Sequence, residues 1–403
     1  MKDILIKDRV HYLGVNDRKK HLFENNWPLP YGVAYNSYLI TDEKSALVDT
    51  LEYGSRPDYL ETIRTLLNGK PLDYLIVNHM EPDHSSMIGE IIRNFPNVKV
   101  VANAITKKIL NNYYPLTDEQ FLEIKEGDIL ELGYHKLTFV MVPWVHWPET
   151  MVTYDTTDQI LFSCDAFGSF GTLDGGIFDD EVEFDEVKET EMRRYYSNIV
   201  GKWSGMVQKA FGKLAGVPVS VICPSHGLIW RKDPAKVLGL YDKWSKQIAD
   251  DGVVIVYSSM YGNTEYMADH IARELSERGI RKIQIFDASK THPSFILNEI
   301  WKYKGLILGS CAYNGDMHPT MSTLTHEIAM SAPTGKTFGI FGSSTWNGAG
   351  VKALTAAAEK MKMTPVCDPV QILGVAEAYK MTHAAAFADA FVQAYRNESL
   401  NRI

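Results

Sequence analysis

Four cysteines, Cys164, Cys223, Cys311 and Cys367, are spread through 403 residues with no Cys-x-x-Cys pair among them. Their scarcity and spacing exclude a zinc ribbon, a rubredoxin-type iron centre or an iron–sulfur cluster within this chain, and predict a reducing compartment. Long apolar runs are missing as well, the longest being strand-length, so no membrane-spanning helix is expected. There is no basic excess: 41 Lys and Arg against 50 Asp and Glu leave a net charge of −9, which argues against nucleic acid or an anionic membrane as partner. The opening residues MKDILIKDRVHYL lack the basic-then-apolar pattern of a secretion signal, and a cytoplasmic location is expected. Internal repeats and low-complexity segments are absent.

What is present is a soluble-protein composition, 45% hydrophobic and 23% charged, in a chain too long for one ordinary core. In the first part, NSYLITD, SALVDT, YLIVN, VKVVA, LTFVMVP, MVTYD, QILFS and VSVICP read as strands. YLETIRTLL, SMIGEIIRNF and the long run from ETEMRRYY to FGKLAG read as amphipathic helices. Asp233 and Pro234 open another helix, as N-cap and first residue, which continues through VLGLYDKWSKQIA to DDG. A boundary near Gly252 divides the chain into residues 1–251 and 252–403. Beyond it, VVIVYSS, KIQIFD, GLILGS, KTFGIFGS and VQILGV alternate with helices, the pattern of a doubly wound five-stranded parallel sheet.

Candidate metal ligands follow successive strands of the first part. NHMEPDHSSM supplies His79, Glu81, Asp83 and His84 after YLIV; His146 ends LTFVMVPWV, Asp165 ends ILFSC and His226 ends VSVICPS. Alone, His146 or His226 reads as a structural histidine. A cluster of two imidazoles and two carboxylates at one strand end is too costly to desolvate unpaired, and makes metal the better reading. Four imidazoles and three carboxylates suit two ions with a shared carboxylate. His11, His21 and His135 lack this context and read as surface or structural residues.

H-x-E-x-D-H, followed by H-W-P-E at 146, C-D-A-F at 164 and P-S-H-G at 224, resembles the metallo-β-lactamase fold, an αββα sandwich. Glu81 stands where zinc hydrolases of that fold usually carry histidine, and this version is similar to the flavodiiron proteins (A-type flavoproteins), whose second domain is flavodoxin-like. The substitution also has its own chemistry, since a carboxylate in place of an imidazole hardens the site and favours iron in higher oxidation states. The resemblance implies one iron on His79, Glu81 and His146, another on Asp83 and His226, and Asp165 bridging them. His84 either joins the second iron or turns away from it.

After VVIVYSS, the turn SMYGNTE opens a helix and offers amides and hydroxyls to a phosphate. Its spacing is not G-x-G-x-x-G, so a mononucleotide fits better than a dinucleotide. It resembles the flavodoxin phosphate loop, which implies FMN with Ser258, Met260, Tyr261, Gly262, Asn263 and Thr264 in contact. Two further loops after strand ends supply Ser310, Tyr313, Asn314 and Gly315, and Ser344, Thr345, Trp346, Asn347 and Gly348. Tyr313, Asn314, Gly315 and Trp346 are the expected flanks of the flavin ring. Many members of the family carry an aromatic before a Gly-Trp pair there, whereas Ser344 and Thr345 precede Trp346.

Two irons and a reduced flavin together hold four electrons, which matches reduction of O2 to two waters and exceeds what two NO need to become N2O. The resemblance implies these reactions, oxygen reduction first, in a head-to-tail homodimer or dimer of dimers that brings one subunit's FMN to the other's irons. Electrons must enter from outside, and rubredoxin or reduced F420 is the donor implied. The rival readings are a two-zinc hydrolase with a regulatory flavodoxin-like domain, which Glu81 disfavours, and a flavin electron carrier, which leaves seven candidate ligands unexplained.

Overall fold

A computed structural model describes residues 3–400, apart from the side chains of 378, 379 and 398–400. The chain forms two compact units. One comprises the residues up to Tyr196 together with Trp203–Lys246; the other comprises Ser197–Lys202 and the residues from Gln247 on.

Among the described residues the first unit contains two large sheets and two two-stranded ones, Val15–Asp17 with Val33–Tyr35 and Leu22–Phe23 with Trp27–Pro28. Seven strands pair in the order Leu5–Lys7, Val10–Tyr12, Tyr38–Thr41, Ser45–Val48, Tyr74–Ile76, Lys99–Ala102 and Phe121–Glu123. Pairing is antiparallel up to Ser45–Val48 and parallel beyond it. Five more strands, Ile129–Glu131, Lys136–Met141, Met151–Asp155, Ile160–Cys164 and Val221–Pro224, make the second sheet, antiparallel except for its last pair. Strands Ser45–Val48, Met151–Asp155, Ile160–Cys164 and Val221–Pro224 are buried at every position, which is why they read as unbroken apolar runs rather than alternating ones. All eight strands expected in this part are present. The short N-terminal strands and the edge strands Phe121–Glu123 and Ile129–Glu131 were not anticipated, because three-residue segments carry too little periodicity.

The run from ETEMRRYY to FGKLAG is not one helix. It is α-helical over Glu186–Tyr195, passes through a π turn at Tyr196–Val200 and a 3-10 turn at Gly201–Trp203, and resumes as Ser204–Leu214. The break has identifiable causes. The carbonyl of Ser197 accepts from Ser331 Oγ at 2.7 Å. At Gly201 a Cβ would lie 2.7 Å from the Trp301 ring, so no larger residue fits there. Helix Pro234–Ser245 starts as expected, with the Asp233 side chain accepting from Lys236 N at 3.1 Å, but ends before QIAD.

In the second unit, strands Ile283–Asp287, Asp250–Ser258, Tyr303–Tyr313, Thr337–Ser344 and Val370–Leu373 form a parallel sheet in that order. A short strand, Asp316–Met317, folds back antiparallel on Tyr303–Tyr313. Helices Asn263–Glu277, Pro293–Lys302, Pro319–Ser331, Ala349–Met361 and Thr382–Leu400 alternate with these strands. This is the doubly wound arrangement expected, and its loops at the carboxyl ends of the strands are the natural ligand edge.

Candidate di-metal centre and flavin pocket

His79 follows strand Tyr74–Ile76, and the short helix Pro82–Ser85 then carries Asp83 and His84, with Glu81 at its N-cap. Asp165 follows strand Ile160–Cys164, whose last residue Cys164 has φ 52°, and His226 follows Val221–Pro224. His146 lies in the loop after Lys136–Met141. Each of these strands ends on one side of the unit, so side chains 147 positions apart in sequence meet.

They meet as two groups. His79, Glu81, His146 and Asp165 bring ligand atoms within 4.8 Å of one another, and so do Asp83, His84 and His226. Asp165 joins the groups: its Oδ2 is 3.3 Å from both His79 Nε2 and His146 Nε2, while its Oδ1 is 2.9 Å from His84 Nε2 and 3.5 Å from His226 Nε2. Glu81 Oε2 lies 2.9 Å from His146 Nε2 and 3.3 Å from His79 Nε2. Asp83 Oδ2 is 3.2 Å from His226 Nε2, and its Oδ1 is 3.4 Å from His84 Nε2. All seven expected ligands therefore converge, His84 with its Nε2 turned inward.

Six of the seven side chains are buried, His79 and His226 completely so, and His146 is half-buried. Both oxygens of Asp83, Asp165 Oδ2 and His226 Nε2 have no hydrogen-bond partner. Buried polar atoms left this way are costly. A donor set of four imidazoles and three carboxylates that share inward-facing orphan atoms fits two divalent or trivalent cations, and the carboxylate content suits iron. The charges also hold protons. Burial works against the charge on His146, but the adjacent Asp165 and Glu81 carboxylates push it up to about 9; against the same burial, Asp165 and Asp83 push His226 up to about 10. Burial would raise Asp165, yet the surrounding imidazoles hold it well below the usual carboxylate range.

Two contributors were not foreseen. Glu24 occupies the tip of the hairpin between Leu22–Phe23 and Trp27–Pro28 at φ 49°. Glu24 is exposed as a whole residue, but desolvation of its carboxyl end and the nearby charge of Glu81 push it up to about 8. No local pattern marks this residue; only the fold carries the hairpin to the cluster. Around His226, the rings of Phe23, Tyr35 and Tyr195 lie 5.5–5.6 Å away and wall off that side. His135 is buried with Nδ1 2.9 Å from Asp155 Oδ2, a structural pair away from the cluster, while His11 bonds Asp3 and Thr41 and His21 is exposed.

In the second unit, a cavity of about 400 Å3 opens at the carboxyl ends of the parallel strands. Met260, Tyr261, Asn263, Ser344, Thr345 and Trp346 line it, as do Ser259, Cys311, Ala312, Ser343, Gly374 and Val375. Its floor is the N-terminus of the 15-residue helix Asn263–Glu277, capped by Gly262 at φ 86°, a phosphate-binding arrangement. Tyr261 and Trp346 are 90% and 77% exposed, so two large aromatic faces stand free at its rim. Those features fit a flavin mononucleotide.

The other expected contacts sit behind or beside this lining. Ser258 Oγ is 2.9 Å from Thr320 Oγ1, and Thr264 Oγ1 is 2.9 Å from Ser343 Oγ. Ser310 Oγ donates to Cys311 O and accepts from His318 N. Tyr313 packs on His318; Asn314 and Gly315, both at positive φ, turn the hairpin to Asp316–Met317, and all three lie off the cavity lining. Asn347 Oδ1 accepts from Ala349 N, and Gly348 N donates to Ser344 Oγ, so these two shape the last loop. Gly374 and Val375 were missed. The loop after the fifth strand shares the edge of the other four, and Asn263 Oδ1 ties it down by accepting from Ala376 N at 3.0 Å.

Two family models match the chain, an ODP family beta-lactamase domain over residues 33–227 and a flavodoxin domain over residues 255–388. The anaerobic nitric oxide reductase flavorubredoxin of Escherichia coli is 33% identical over 357 residues, 87% of this chain and 74% of that protein. Among solved structures, the rubredoxin oxygen:oxidoreductase of Desulfovibrio gigas superposes with a TM-score of 0.94 at 28% identity, covering 98% of this chain and 99% of its own. A flavo-di-iron protein of Thermotoga maritima does so with a TM-score of 0.88 at 26% identity over 97% of this chain and 98% of its own. With a lactamase-like domain, a flavodoxin-like domain, a seven-ligand cluster and a flavin pocket, the chain belongs to the flavodiiron protein family of oxidoreductases, whose cofactors are FMN and a non-haem di-iron centre.

Proposed function

We propose that this protein reduces O2 to water, or NO to N2O, with electrons passed through FMN from a small external donor. The observation that carries the reading is the position of Asp165, whose two oxygens face two separate ligand groups. On this reading His79, Glu81 and His146 would hold one iron and Asp83, His84 and His226 the other, with Asp165 placed between the two groups. Bound there, the two irons would supply a binding site and charge stabilisation for a diatomic, and FMN would supply electrons in ones or twos. The chain's own residues keep Nε2 of each histidine inward, screen the His226 side with Phe23, Tyr35 and Tyr195, and place Glu24 near Glu81.

For FMN, the helix beginning at Asn263 takes the phosphate, with Ser258, Gly262, Thr264 and Ser310 shaping that end. Met260, Tyr261, Ser344, Thr345 and Trp346 take the ring, with Asn347 and Gly348 holding the last loop. A rubredoxin is the donor favoured, because the Desulfovibrio gigas relative is named for it, and reduced F420 is the alternative. The working unit is a head-to-tail dimer, and the compartment is cytoplasmic.

Anaerobic purification followed by metal and flavin quantification tests the class: two irons and one FMN per chain are expected. Two zincs and no iron would return the reading to a hydrolase. O2 and NO consumption with chemically reduced rubredoxin then ranks the substrates. Replacing Glu81 by Ala is expected to abolish both activities; intact consumption would favour a simple electron carrier.

A further inference from the structure

Glu149 closes the H-W-P-E segment and has no role in the arrangement above, yet it is only 1% exposed. Its Oε1 lies 2.8 Å from His79 Nδ1 and 2.9 Å from the Met80 amide nitrogen. Its own carbonyl accepts from Asn103 Nδ2 at 2.7 Å, which anchors the backbone there. Trp147 holds the same imidazole from the side, edge to face at 5.1 Å. Oε1 thus accepts both N–H groups, so a His79 that has lost its extra proton to a metal keeps its hydrogen on Nδ1 and presents Nε2 to the side of Glu81 and Asp165.

The other metal position is backed differently. His226 donates its Nδ1–H to the backbone carbonyl of Ala34 at 2.8 Å, a neutral acceptor. His84 Nδ1 has no hydrogen-bond partner. Asp49, a second buried carboxylate in the neighbourhood, has its oxygens on the amide and side chain of Asn78 at 2.8 and 3.0 Å. A carboxylate behind a ligating imidazole makes the metal-facing nitrogen more basic, which a neutral carbonyl does more weakly.

We infer that Glu149 is a positioning residue that makes the two metal positions unequal. By fixing His79 as an Nε2 donor and placing a carboxylate behind its ring, it strengthens the ion on His79, Glu81 and His146 and biases that ion toward its oxidised state. The ion on Asp83, His84 and His226 lacks this support and is the one reduced first. The inference rests on the reading above that both positions hold iron.

Glu149→Gln tests it, because the amide keeps an acceptor oxygen and the shape but removes the charge. Glu149→Ala removes both. The measurements are a redox titration of the full-length, iron- and FMN-loaded protein, followed by Mössbauer spectroscopy to resolve the two irons. E149Q is expected to retain both irons and FMN while one iron step moves to higher potential and one doublet shifts. E149A is expected to weaken one of the two irons by roughly 10–100-fold. E149Q would overturn the inference by leaving both steps and both doublets unchanged, by moving them equally, or by losing both irons together. If E149A does not fold, as circular dichroism and flavin content report, E149Q decides alone. Should the wild-type protein carry zinc, the redox reading above fails, while unequal loss of one of two zincs from E149A would still support the positioning role.

Discussion

An imidazole buried among carboxylates keeps its proton until a metal displaces it, and this sets how the centre loads. His146 and His226 are pushed up to about 9 and about 10 by Asp165, Glu81 and Asp83, so at neutral pH both carry protons in the metal-free protein. A ligating histidine must be neutral, so loading releases protons, about two per chain from these residues at pH 7, declining toward none above pH 10. Calorimetry of Fe(II) binding under anaerobic conditions, in buffers of different ionisation enthalpy, counts them; a release that did not fall with rising pH would contradict the assignment. His135 shows the same physics with a structural result. Burial opposes its charge, but Asp155 raises its pKa above the ordinary value, so this pair stabilises the fold fully below about pH 6.5 and ceases to as pH rises through the raised value. Asp155→Asn keeps acceptor atoms for the turn, and its stability deficit in urea unfolding is expected to be larger at pH 6 than at pH 9.

At the scale of elements, one side chain connects a helix start to the metal neighbourhood. Asn103 Oδ1 accepts from Ile105 N and Thr106 N, both at 3.0 Å, capping helix Ala104–Tyr113, while Nδ2 holds the Glu149 carbonyl. Asn103→Ala is expected to cost about 1–2 kcal/mol by urea unfolding, from loss of the cap. It should also loosen iron retention in a chelator challenge, which an ordinary cap variant such as Asp233→Ala should not. The helical run at 186–214 shows where periodicity stops being informative. Its apolar spacing continues through the π turn, but the conditions that break it, Ser331 on the Ser197 carbonyl and the Trp301 ring on Gly201, come from residues more than a hundred positions away.

For the whole molecule, the expectation concerns assembly. The proposed head-to-tail dimer would set the flavin-binding unit of one chain against the metal-binding unit of the other. Specific activity with reduced rubredoxin is therefore expected to fall on dilution in step with dimer dissociation measured by sedimentation. Full activity in a verified monomer would rule that assembly out. The net charge of −9 gives no further guide to the donor.

Sequence alone determined the fold class, the order of strands and helices in the second unit, and the seven metal-ligand candidates. The reason is local: costly polar groups placed directly after apolar strands are legible without knowing where the strands lie. It also marked the candidate phosphate loop, since a Gly-bearing turn before a helix offers amides to an anion. Only the tertiary structure decided which oxygen of Asp165 faces which histidines, that His84 turns its Nε2 inward, that Glu24 and Glu149 lie beside the cluster, and that Gly374 and Val375 line the cavity of the second unit. Those facts depend on the pairing and register of segments far apart in the chain, and no residue type or spacing within any one segment encodes them.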